Sequence, residues 1–203
     1  MSHLDTLDGL AFETDRNGTI LAIGETGWNS FAAENGAPEL TADAVIGRNL
    51  FSFIEGEQVQ DQTRQILERI SQDPNWAWVL PFRCDSPQRQ RNVLQSLRPV
   101  FSDHLCTGFI FHSFYQFSWQ RPPMGLYDFK RHRKLAKQDR DLPSVKMCSW
   151  CQRVQFFPVG GENWISAEAY YAGGGRSEVR INHGICEECL ETSLDPAPIE
   201  EGS

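Results

Sequence analysis

Apolar and polar positions alternate in a readable order along the first 120 residues. Residues 9–24 hold two β-prone runs on either side of Asp15-Arg16-Asn17-Gly18, and an Asn-Gly pair between such runs predicts a tight hairpin. Short helical pieces are expected around Trp28, Phe31 and Ala32 and again over 40–46, followed by an apolar cluster of Leu50, Phe51, Phe53 and Ile54 behind Gly47. Over 57–70, Val59, Ile66, Leu67 and Ile70 fall on one helical face while Gln, Arg and Glu fill the other. Three extended runs come next, 76–83, 91–101 and 106–117, with turns at Asp85-Ser86-Pro87 and Ser102-Asp103. Strands at both ends with helices between them predict an α+β domain: an antiparallel five-stranded sheet carrying its helices on one face.

The rest of the chain has a different texture. Residues 121–145 open on Arg-Pro-Pro and close on Asp-Leu-Pro, with a basic run between that suits a helix leaving the sheet. Seven basic and two acidic side chains lie within 121–140, whereas the flanking segments are acidic and the whole chain carries a formal charge of -8. An acidic chain excludes general nucleic-acid binding, and the basic island reads as the solvated face of a linker, with contact to DNA through Lys130 and Arg133 as the weaker alternative. With 40% hydrophobic and 23% charged residues, the 203-residue chain is globular in composition. No stretch is apolar enough to span a bilayer, and acidic residues stand near the N-terminus where a signal peptide needs basic ones, so a soluble cytoplasmic protein is expected. The organisation read from these features is a sensor-like domain at 1–120, a basic linker at 121–145, a cysteine module at 146–192 and a disordered acidic tail at 193–203.

The first domain resembles the PAS sensor family. The resemblance rests on Phe12-x-Thr14-Asp15-x-x-Gly18-x-Ile20, on Trp28-Asn29-x-Phe31-Ala32, on Ile46-Gly47-Arg48-Asn49-Leu50-Phe51, on the helix over 57–70, and on the late run Phe82-Arg83-Cys84-Asp85. It implies a cavity between sheet and helices that holds haem, flavin, a small metabolite or nothing, and it implies a homodimer. Leu50 stands where light-sensing flavin members carry their reactive cysteine, and 57–80 contains no His for haem iron. His104 and His112 read as a turn residue and a sheet-face residue, and Cys84 and Cys106 as small buried side chains. Trp76, Trp78, Phe109, Phe111, Phe114 and Phe117 read as core, with lining a planar-ligand pocket as the second reading.

The sharpest chemical signal is a quartet. Cys148-Ser149-Trp150-Cys151 and Cys186-Glu187-Glu188-Cys189 are two Cys-x-x-Cys pairs separated by 34 residues. Two residues between thiols let a turn aim both sulfurs at one ion, and two such turns make a tetrahedral four-sulfur site for which zinc is the default metal. Redox dithiols and an iron–sulfur cluster are the other readings of the same spacing. His183 is a fifth possible ligand, read as a support that donates a hydrogen bond to a thiolate or to backbone. The run from Cys148 through Val154, Trp164 and His183-Gly184-Ile185-Cys186 to Cys189-Leu190 resembles a short cysteine-rich module attached to bacterial PAS and response-regulator proteins, a small zinc-ribbon or knuckle; Glu187 replaces its usual Pro.

A module of about 50 residues has little core of its own, so a structural metal is expected to hold it together. No kinase, nucleotide-loop or effector-enzyme motif is present, and four thiolates leave a zinc ion no open position for water. The expected function is therefore non-enzymatic: sensing or protein interaction, with output through an unidentified protein partner. The alternative is a redox sensor that releases its metal on oxidation.

Overall fold

A computed structural model describes residues 3–138, 141–156 and 163–194 of the chain. Strands β1 (Leu10–Asp15) and β2 (Ile20–Ile23) form the expected hairpin. Its turn is fixed by Asp15, whose carboxylate accepts from Asn17 N at 2.9 Å and Thr19 N at 2.7 Å, and by Gly18 at φ +87°. Helices α1 (Glu25–Glu34), α2 (Ala42–Val45) and α3 (Glu57–Ile70) follow, then β3 (Trp78–Arg83), β4 (Arg89–Ser102) and β5 (Leu105–Gln120). The strands pair antiparallel in the order β2-β1-β5-β4-β3. Val59, Ile66, Leu67 and Ile70 of α3 are all buried, as its periodicity predicts.

Register places four large side chains in one row across this sheet. Phe12 pairs with Phe111, Phe111 with Leu97, and Leu97 with Trp78. Phe111, Leu97 and Trp78 are buried together with Ile66, Leu67 and Ile70, and Phe12 packs against that cluster. Removing this much apolar surface from water at roughly 25 cal/mol per Å² makes the row and the α3 face the main adhesive of the domain.

The remainder builds a second sheet. Strands β6 (Ser144–Cys148), β7 (Val154–Phe156), β8 (Asn163–Ile165) and β9 (Arg180–Gly184) lie in the order β8-β7-β6-β9, with β6 and β9 parallel. Between β5 and β6 runs α4 (Phe129–Gln138), between β8 and β9 sits α5 (Ala167–Ala172), capped by the Ser166 hydroxyl, and α6 (Glu187–Leu194) follows β9.

The segment read as a linker contributes to this second core. Leu126 and Tyr127 are buried with Met147, Val154, Ala167, Tyr170 and Val179. Arg121 lies against the Tyr127 ring at 4.2 Å and pairs with the fully buried Asp85 carboxylate at 2.8 Å. Lys130, Arg133, Lys134 and Lys137 are exposed, as a solvated basic face requires. The expected acidic tail falls, from residue 195 onward, outside the described residues.

Candidate metal centre and adjoining cavity

Parallel pairing of β6 with β9 is what assembles the cysteines. It sets Cys148 opposite Gly184, so both strands end at the same level and release their chains into turns side by side. After β6 the chain folds back at once: Gln152 N donates to Cys148 O at 3.0 Å, Cys148 N to Arg153 O at 2.8 Å, and Gln152 takes a left-handed φ of +58°. After β9, Cys186 precedes α6 and Cys189 lies in its first turn.

All four sulfurs lie within 4.8 Å of one another, with Cys148 and Cys186 buried and Cys151 and Cys189 half-buried. Cys151 Sγ and Cys186 Sγ are 3.7 Å apart. Four sulfurs at about 2.3 Å from a tetrahedral ion stand about 3.8 Å from each other, so the cluster has the size a metal ion demands. Cys186 N also points to Cys148 Sγ at 3.5 Å.

The electrostatics of the bare quartet point the same way, because four adjacent thiols cannot all ionise without a cation. Donation of its S–H to Cys151 pushes Cys148 up to about 11, and donation to Cys148 and Cys151 pushes Cys189 far above the ordinary thiol value. Cys151 is held down as the thiolate by Cys148 and Cys189, with Arg153 adding to the effect. A dication would remove this conflict. Arg153, to which no spacing rule pointed, donates Nε to Cys151 Sγ at 3.3 Å and a terminal nitrogen to Cys186 Sγ at 3.5 Å, and pairs with Glu188 at 2.6 Å. Its only sequence signal is a cation two residues beyond a Cys-x-x-Cys pair.

The imidazole of His183 meets groups other than the four sulfurs. Its Nδ1 meets Ser149 Oγ at 3.4 Å, its Nε2 lies 3.5 Å from Glu55, and its ring stands 6.1 Å from Phe129. Burial lowers its basicity and Glu55 partly restores it.

The cysteine knuckle also forms part of a cavity of about 640 Å³. The row Phe12, Phe111, Leu97 and Trp78 lines one side, Val59, Thr63 and Ile66 of α3 another, and Cys148, Ser149, Trp150 and His183 a third. Several contacts fasten the knuckle to the first domain. Arg83 N donates to Trp150 O at 2.6 Å, Asp85 N to Gln152 Oε1 at 3.1 Å, Ile185 N to Gln58 Oε1 at 3.2 Å, and both Gln62 and Trp78 bond to Ser193. At Gly56, φ +93°, an added Cβ would lie 2.6 Å from His183 O, so glycine is what lets β9 approach the start of α3.

The remaining candidates separate cleanly. Cys84 lines the cavity, its thiol pushed up to about 11 by burial, while Cys106 is buried and donates to Gly108 O at 3.5 Å. His104 occupies the β4–β5 turn at φ +66°, and His112 bonds to Asp8 O at 2.7 Å. Phe109 is core, Trp78 and Phe111 are buried and also line the cavity, and Phe117 is 64% exposed near the end of β5.

No family model and no curated protein matches the chain. Among solved structures it is similar to the PAS domain of Bordetella pertussis BvgS, at 17% identity over 68% of this chain and 93% of that one, with a TM-score of 0.43. It is also similar to a domain of an HTR-like protein from Haloarcula marismortui, at 19% identity over 53% of this chain and 97% of that one, with a TM-score of 0.33. A third likeness is to the Vibrio cholerae VqmA dimer, at 13% identity over 54% of this chain and 46% of that one, with a TM-score of 0.37. The N-terminal fold is PAS-like. No helix among the described residues is long and apolar enough to cross a membrane.

Proposed function

We propose that the protein is a non-enzymatic sensor in which a zinc-held cysteine knuckle closes the cavity of the PAS-like domain and transmits its state. The observation that carries this reading is the position of Trp150: it lies between two cysteines of the quartet and packs on Trp78 in the cavity wall. Zinc on Cys148, Cys151, Cys186 and Cys189 would fix the loop that presents Trp150, so occupancy of the cavity and order of the knuckle become one equilibrium. Output passes to a protein partner or through a homodimer.

Hydrogen exchange with and without zinc tests the coupling. Chelation is expected to deprotect amides of α3 and β3 along with those of the knuckle. Unchanged protection in α3 and β3 after zinc loss would overturn it.

The redox alternative has one observation in its favour: Cys151 is half-buried and bears the thiolate that Arg153 and its neighbours stabilise. Two thiolates would join as a disulfide, a peroxide would take up the two electrons and become water, and the zinc ion would leave.

A further inference from the structure

We propose that the cavity is a site for a small planar aromatic carboxylate, held by Arg180 and Arg133 over the aromatic row of the sheet. The proposal rests on the sensing reading above and adds the chemical class of what is sensed.

The charge of the cavity is the first argument. Arg83, Arg133 and Arg180 line it together with a single carboxylate, Glu55, in a chain whose net charge is -8. Arg83 is already paired with Asp85, and Glu55 faces His183. Arg133 has no carboxylate within ion-pair distance among the described residues. Arg180 Nε is buried and has no hydrogen-bond partner. Arg180 as a whole is half-buried, lines the cavity and has no carboxylate within ion-pair distance among the described residues, so an oxyanion in the cavity would supply its missing counter-charge. The guanidinium fork matches a carboxylate, and Glu55 in the same lining disfavours a dianion such as a phosphate monoester.

Shape and surface give the rest. A volume of about 640 Å³ lies within the range of small-molecule sites. Phe12 and Phe111 stack at 4.5 Å and 7°, and Trp78 and Trp150 complete an aromatic lining, which suits a flat ring by offset or edge contact. Arg180 opens β9, four residues before Gly184 and the turn to Cys186, so an anion bound there pulls on the strand that delivers half of the cysteine cluster.

The test is calorimetric titration of the zinc-loaded full chain with 1-naphthoate and, in parallel, with the isosteric 1-naphthamide. The acid is expected to bind at least tenfold more tightly. Arg180→Gln should abolish that preference with zinc content unchanged, and Arg133→Gln, at an exposed position where folding is not at stake, should reduce it in the same direction. Lys137→Gln, an exposed cation of the same helix as Arg133, should leave it intact. Equal affinity for acid and amide, a preference that survives both arginine variants, or no binding of either compound would overturn the assignment. None of these results touches the coupling of zinc to α3 protection, which stands or falls by hydrogen exchange.

Discussion

The indoles of Trp78 and Trp150 meet with their ring centroids 6.2 Å apart at 57°. One belongs to the aromatic row of the sensor-like sheet and the other to the loop between two cysteines, so the pair joins the two candidate sites directly. Trp78 is buried and donates from Nε1 to Ser193 O at 3.1 Å, which adds the end of α6 to the same junction.

Trp150→Ala should therefore weaken the junction without removing a cysteine. We expect zinc content to be kept and stability to fall by about 1–3 kcal/mol, less than the ~3–5 kcal/mol of a fully buried tryptophan. Urea unfolding followed by far-UV circular dichroism measures it; an unchanged midpoint would mean that the contact contributes nothing.

Arg153 places a cation against two sulfurs. Arg153→Met should lower zinc affinity about 10–100-fold, the usual effect of losing a group that hydrogen-bonds to metal ligands. Competition with a chromogenic chelator reads this out, and equal affinities would assign Arg153 to the Glu188 ion pair alone.

Asp85 is the buried anion of the junction. Its carboxylate pairs with Arg83 and Arg121 and accepts from Arg91 N at 3.0 Å, and its backbone N–H reaches Gln152. Asp85→Ala leaves two mostly buried guanidinium groups without this anion and should cost about 3–5 kcal/mol in urea unfolding. A loss below ~1 kcal/mol would show that Glu168, 3.8 Å from Arg121, compensates.

His183 supplies a pH dependence with a definite sign. Burial sets its folded-state value below the ordinary 6.5. Between 6.5 and that lower value the unfolded chain binds more protons than the folded one, so this contribution to stability is full above about pH 6.5 and is lost as pH falls through the folded value. His183→Gln should flatten the difference in urea midpoint between pH 7.5 and pH 5.5 at saturating zinc. Equal slopes in the two proteins would remove His183 as the source.

Features governed by local spacing are legible in the sequence. The Asn17-Gly18 turn, the buried face of α3 and the spacing within each Cys-x-x-Cys pair all follow from residues within a few positions of each other. What could not be read depends on contacts across long separations. Gln62 with Ser193, Glu55 with His183, and Trp78 with Trp150 join positions whose partnership no periodicity encodes. Leu126 and Tyr127 sit in a basic, proline-bounded segment whose composition suggests solvent, yet two large side chains suffice to draw its start into a core. Phe117 misled in the opposite direction, since hydrophobicity alone does not tell that β5 continues beyond its pairing with β1, held there by β4, with Phe117 exposed.

Everything in the proposed coupling depends on an ion among four sulfurs. Elemental analysis of untagged protein, purified under reducing conditions without chelator, tests that most directly. One zinc per chain is the expected result. Protein that is folded, with all four thiols free and no metal, would contradict it.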